Sequence, residues 1–202
     1  PPTVNSITPT EVESAAGGNV TFTINGARFS VGATVQFISN TGVTINASPV
    51  TRVSSSQLTA VAAKNSFVNG QEPYDVKVTN GSGLATVLAD QINVDNAPTW
   101  STSAGTIATI DDVGNATHAT ITASDAEGDT IAYSITSGSL PGGLSLNSSS
   151  GAITGEPNNV SSSTTSTFTA RATANSKTAD RSFNIVVTPA NDGTSSAGVT
   201  TI

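Results

Sequence analysis

Apolar and polar residues alternate along much of this chain, and that period of two constrains its fold more than any other feature. Val20-Thr21-Phe22-Thr23-Ile24, Tyr74-Asp75-Val76-Lys77-Val78 and Phe183-Asn184-Ile185-Val186-Val187 are the clearest runs. In an extended backbone such alternation puts every second side chain on one face, the pattern of a strand half in a core. No stretch sustains a 3.6-residue period, so no amphipathic helix competes. Gly17-Gly18, Asn25-Gly26 and Asn80-Gly81 supply turn dipeptides between the runs, with Asn25-Gly26 expected to break a strand through positive φ. The first half reads as about seven short strands, and an all-β sandwich is the fold they imply.

The second half repeats the habit. Ile107 to Ile110 and Ala119 to Ala123 read as strands, with Ile131 to Ile135 as the partner of the latter. The Ser/Thr-rich block from Ser161 to Thr167 reads as a mobile loop, and two long strands, around Phe168 and Phe183, close the sandwich.

Between the halves lies Ile92-Asn93-Val94-Asp95-Asn96-Ala97-Pro98-Thr99-Trp100. Pro98 cannot donate a ladder hydrogen bond and holds Ala97 extended, so the backbone should run on as a stiff joint. Trp100, the single tryptophan, is expected to anchor the second half.

A chain of 202 residues suits one large or two ordinary domains. Seven basic against fourteen acidic residues give a net charge of -7. That sign argues against nucleic acid or an anionic membrane as partner, since both need a basic face. Cysteine and methionine are absent, which excludes disulfides, zinc thiolates and cysteine nucleophiles and leaves stability to burial and sheet hydrogen bonds. No apolar run is long enough to span a bilayer and no signal-peptide core is present. The Pro-Pro-Thr start is expected to belong to a processed product or a segment of a longer chain.

The residues of the first half resemble a known family. Pro9, Gly17-Gly18, Val20-x-Phe22-x-Ile24-x-Gly26-x-x-Phe29, Gly32-Ala33-x-Val35-x-Phe37, Ser55-Ser56-x-Leu58-x-Ala60 and Tyr74-x-Val76-x-Val78-x-Asn80 are similar to an IPT/TIG domain. That is an immunoglobulin-like fold of bacterial and phage surface proteins, cell-surface receptors and some transcription factors. Ala62-Ala63-Lys64 stands where the family often carries a proline. In the second half, Ala123-x-Asp125-x-Glu127-Gly128-Asp129-x-Ile131-x-Tyr133-Ser134-Ile135, Leu140-Pro141-x-Gly143-Leu144-Ser145-Leu146 and Gly151-x-Ile153-x-Gly155-x-Pro157 resemble a cadherin-like module of the dystroglycan type. The resemblance implies two tandem immunoglobulin-like β-sandwiches joined by a short stiff linker, over 1–94 and 97–188, with 189–202 as a linker or tail. It implies no catalytic residues.

One constellation could carry chemistry. Asp125, Glu127 and Asp129 alternate on a loop, and Asp95 lies at the joint; alternate carboxylates can supply several of the six to eight oxygens that calcium takes. The resemblance to cadherins puts such an ion between consecutive domains. The competing reading is a solvated turn whose carboxylates cap backbone amides. His118, the single histidine, has no second histidine or cysteine to share a metal and no nucleophile motif beside it. Trp100 and Tyr133 could stack on a sugar, although lone aromatics in sandwiches usually belong to the core. Six Asn-x-Ser/Thr sequons are expected from composition alone.

The expectation is a non-enzymatic structural module of a phage virion, a fibre, tail or capsid-decoration protein at the virion surface. Its partners would be other structural proteins of the same particle and a host-surface glycan, with the chain present as a homo-oligomer or in repeated copies. The alternatives are a bacterial cell-surface adhesin and an accessory domain of a secreted polysaccharide-degrading enzyme. No cofactor other than calcium is expected.

Overall fold

The computed structural model describes residues 1–190, so all but two residues of the expected tail over 189–202 lie outside the described residues. The chain divides into two compact units, one of Pro1–Ala97 with Ala126–Gly128, the other of Pro98–Asp125 with the described residues from Asp129 on. Each unit is built on an immunoglobulin-like β-sandwich, and no α-helix occurs among the described residues.

The first unit comprises β1 (Thr3–Thr8), β2 (Glu11–Val12), β3 (Asn19–Ala27), β4 (Thr34–Ser39), β5 (Thr44–Asn46), β6 (Val50–Ser54), β7 (Gln57–Ala63), β8 (Tyr74–Thr79) and β9 (Ala85–Val94). They form a four-stranded sheet, β1-β3-β7-β6, and a five-stranded sheet, β2-β9-β8-β4-β5. The count exceeds seven because the opening segment contributes to both sheets and because β5 adds a three-residue edge. β2 runs parallel to β9, with Glu11 opposite Asn93, whereas the other pairings are antiparallel.

The period of two does what it predicts. Val20, Phe22 and Ile24 of β3, Val35 and Phe37 of β4, Leu58, Ala60 and Ala62 of β7, and Tyr74, Val76 and Val78 of β8 face one core. Phe22, Phe37, Phe67 and Tyr74 form its centre, with successive ring centroids 4.6 to 5.7 Å apart in tilted and edge arrangements. Each such side chain stabilises by about 1.5–3 kcal/mol through burial, and the tilted geometry suits the ring quadrupoles. The Tyr74 hydroxyl accepts from Val68 N (2.7 Å) and donates to Val68 O (3.2 Å), pinning the crossing between β7 and β8. This is the tyrosine corner of immunoglobulin-like sandwiches. Burial, the largest influence, pushes the Tyr74 hydroxyl above the usual tyrosine pKa.

Asn25-Gly26 is not the expected turn. Both residues lie within β3, Gly26 opposite Val4 of β1, and the left-handed residue is Arg28, with φ 61°. Glycine is required at 26 for room: a Cβ there would sit 1.9 Å from the Thr3 carbonyl oxygen and 2.7 Å from the Phe29 ring.

The second unit comprises β10 (Thr99–Trp100), β11 (Gly105–Asp111), β12 (Ala116–Thr120), β13 (Ala123–Ser124), β14 (Ile131–Gly138), β15 (Leu144–Leu146), β16 (Ala152–Gly155), β17 (Thr164–Ala174) and β18 (Lys177–Thr188). Its main sheet has the order β11-β18-β17-β14, with β11 parallel to β18, and it is opposed by β12-β16-β15 and the short pair β10-β13. Trp100, Ile121, Tyr133, Ile153, Phe168, Phe183 and Ile185 fill the core. The Trp100 indole N–H donates to Ala179 O at 3.1 Å, so the ring is both buried and satisfied.

Two local expectations fail here. β14 pairs with β17, not with the strand preceding it, while β12 pairs with β16. Consecutive alternating runs look like a hairpin in sequence, but the loop between them carries the chain from one sheet to the other. The Ser/Thr-rich block is likewise not all loop: Thr164–Thr167 opens β17 and pairs with Asn184–Val187 of β18. Low complexity does not prevent β-branched threonines from serving as strand residues.

Candidate functional site

The four candidate calcium ligands do different local work. In the first unit Asp95 is buried, and Glu127 accepts from Asn96 N (3.2 Å) and Asn96 Nδ2 (2.8 Å). Asn96 Oδ1 in turn accepts from Ala15 N (2.8 Å) and Ser14 Oγ (3.2 Å). In the second unit Asp125 Oδ1 accepts from Asp129 N at 3.1 Å, closing an acidic turn around Gly128. Among the described residues, no three histidine or carboxylate side chains gather so that they could hold a metal ion.

His118 lies on β12, and its Nε2 is 2.8 Å from Gly155 O, a contact that ties β12 to β16. Asp112 is also structural: its carboxylate accepts from Val160 N (2.8 Å) and Ala190 N (2.7 Å). Trp100 and Tyr133 sit in the core, and so do the six phenylalanines and Tyr74. None of these residues is more than 7% exposed, although Tyr133 borders an open groove of the second unit.

Two surface features remain. In the second unit an open groove of about 550 Å³ runs where β14 and β15, the edge strands of the two opposed sheets, end the sandwich. Ile135, Leu140, Leu144 and Leu146 line it and no charged side chain does. Outside the groove, the two glycines at either end of β16 are there for space. A Cβ at Gly151 (φ 71°) would lie 2.0 Å from Ile121 O, and one at Gly155 (φ 129°) would lie 2.2 Å from Gly143 O. The Gly-x-Ile-x-Gly spacing thus brackets buried Ile153 with two points of close backbone approach.

The more organised feature is one end of the first sandwich, where the β3–β4, β6–β7 and β8–β9 loops meet. Ser55 O and Ser56 O of the second loop accept from Phe29 N and Gly26 N, both at 2.9 Å. Asn80 of the third loop takes Ser30 N on its Oδ1 (3.0 Å) and donates through Nδ2 to Arg28 O (2.8 Å). Gly81 N donates to Ser30 Oγ at 3.1 Å, and Arg52 Nε donates to Phe29 O at 2.8 Å. Three loops cross-braced in this way form a fixed platform, the preorganisation that lowers the ordering cost of binding. Sequence reading passed over Arg28 and Asn80 as site residues. The signal was the Gly26-x-x-Phe29 spacing, which fixes the loop that Arg28 occupies.

Comparison with known proteins agrees with this architecture. The IPT/TIG domain family matches residues 2–99 and the "Putative Ig domain" family, He_PIG, matches 98–188. No curated protein sequence matches the chain. Among solved structures, the eight N-terminal Ig domains of Down Syndrome Cell Adhesion Molecule are 11% identical, with 93% of this chain and 24% of that one covered and a TM-score of 0.51. An I-band fragment of titin is 14% identical, covering 94% and 66% with a TM-score of 0.49. The protocadherin GammaB4 extracellular domain is 16% identical, covering 93% and 33% with a TM-score of 0.41. The chain spans a third to a half of the first structures it matches, and the likeness to the Down Syndrome Cell Adhesion Molecule domains, at 11% identity, is one of fold alone. The chain is an IPT/TIG domain followed directly by an immunoglobulin-like domain of the He_PIG family.

Proposed function

We propose that this chain is a non-enzymatic structural module of a phage virion, projecting its immunoglobulin-like domains from a fibre, tail or capsid surface for assembly or host attachment. The observation that carries the reading is the serial build. Four residues, Asp95 to Pro98, separate the last strand of one sandwich from the first strand of the next. Modules strung this closely suit reach and display, and domains of these families are typically non-catalytic.

Its partners would be structural proteins of the same particle, with the chain in repeated copies, and a host surface at the outer end. The test is gold-labelled antibody against residues 1–190 applied to purified particles from a producing culture. Symmetric labelling at a fixed position on each particle is expected. Label on bacterial envelopes with bare particles would overturn the virion reading in favour of a cell-surface adhesin. The braced loop end favours that second reading over a polysaccharide-binding accessory domain, because burial of every aromatic removes the stacking surface such a domain uses.

A further inference from the structure

The braced loop end of the first sandwich carries a surface unlike the rest of the molecule. Val31 is 82% exposed at the tip of the β3–β4 loop, Val53 is 56% exposed on β6, and Leu84 is 53% exposed beside the β8–β9 turn. Exposed single aliphatics are ordinary. Here three of the seven large exposed hydrophobics described fall at one end of one unit.

The two arginines of this unit lie at the same end, while its lysines lie elsewhere, Lys64 at the opposite end beside Gly18 and Lys77 in the middle of β8. Arg28 and Arg52 are exposed at this end. The carboxylates Glu11, Glu72, Asp75, Asp90 and Asp95 lie toward the other, where β2 pairs with the end of β9 and β8 begins. The salt bridge Arg171–Asp180 lies in the second unit, and among the described residues none is found at Arg28 or Arg52. Arg28 also holds left-handed backbone, a conformation that costs a non-glycine residue of order 1 kcal/mol or more and collects at functional positions.

We propose that this end docks on a protein surface with an apolar centre and an acidic rim, Val31, Val53 and Leu84 meeting the centre and Arg28 and Arg52 pairing with rim carboxylates. The aliphatic patch argues for protein rather than an anionic glycan, because a sugar would use an aromatic platform that is absent here. The guanidinium fork matches a carboxylate bidentately, and cations unpaired in a chain of net charge -7 leave the local field open for an acidic partner. This inference rests on the reading of the chain as a display module, but its test is independent of where the protein is found.

The whole chain, labelled with ¹⁵N, is titrated with three probes: the peptide acetyl-(Glu-Leu)₄-amide, its Lys-Leu counterpart, and an oligoguluronate of equal charge. The acidic peptide alone is expected to bind, shifting amides of residues 28–33, 52–56 and 80–84, with affinity falling as salt rises. Arg28→Gly should weaken it about tenfold. That variant is informative because glycine relieves the left-handed backbone, so its melting midpoint should hold or rise while binding falls. Val31→Ser should weaken the peptide several-fold without touching the core. Equal binding of the oligoguluronate would overturn the apolar part of the proposal. Absence of acidic-peptide binding, or binding unchanged in both variants, would overturn the whole.

Discussion

The two units reach the same immunoglobulin-like architecture by different means. The first packs four aromatic rings at its centre and ties its long crossing with Tyr74. The second strings its four rings in a row, Tyr133–Trp100–Phe183–Phe168, fills the buried face of β17 with Ala170, Ala172 and Ala174, and brings backbone to within 2.2 Å of a would-be Cβ at Gly138, Gly143, Gly151 and Gly155, where the first does so at Gly26. Rings spread their contribution over many contacts, whereas glycine approach leaves no slack. The difference teaches that the second unit has more positions where one added methyl should be felt at once.

The largest effect expected is from Trp100→Ala, about 3–5 kcal/mol, with the cavity and the lost Ala179 bond adding. In a calorimetric scan it should lower one transition and leave a second, from the first unit, in place. A single transition moving as a whole would break the contrast between two separate cores. Gly151→Ala comes next, about 2–4 kcal/mol from a clash with Ile121 O and left-handed strain. Because alanine adds one methyl, a near-neutral result would show that the backbone between Ile121 and Gly151 relaxes freely.

Tyr74→Phe should cost about 1–2 kcal/mol in the first unit, since Val68 loses both bonds while the ring stays. The same hydroxyl gives a pH signature. Its folded pKa is raised above the unfolded value, so its contribution is fully present below about pH 10 and is lost as pH rises through the folded pKa. Alkaline unfolding of the first unit should therefore be shallower in the phenylalanine variant. Asp180 behaves oppositely: its hydrogen bond from Arg171 holds its pKa down, so that stabilisation fades as acid takes the pH through the depressed value. Both partners are exposed and salt screens them, so Asp180→Asn should give the smallest shift.

Chelation bears on the acidic residues. With Glu127 engaged by Asn96 and Asp125 by Asp129 N, added EDTA should leave both melting transitions where they are. A drop of several degrees in either would instead restore Asp95, Asp125, Glu127 and Asp129 as calcium ligands.

Alternation was legible because a half-buried strand writes its burial directly into residue order: Val20, Phe22 and Ile24 could face only one way. The family motifs were legible because glycines such as Gly151 and Gly155 answer to backbone contacts that tolerate no other residue. Sequence therefore determined the all-β class, two immunoglobulin-like modules and a core holding Trp100 and Tyr133. It could not determine which strands pair. Alternation is the same for a hairpin partner and for a strand in the opposite sheet, which is how β14 was given to the wrong neighbour. Nor could it reveal the braced loop end. Asn80 and Arg28 stand fifty-two positions apart, and only the closing of two sheets over one core brings the amide of one to the carbonyl of the other.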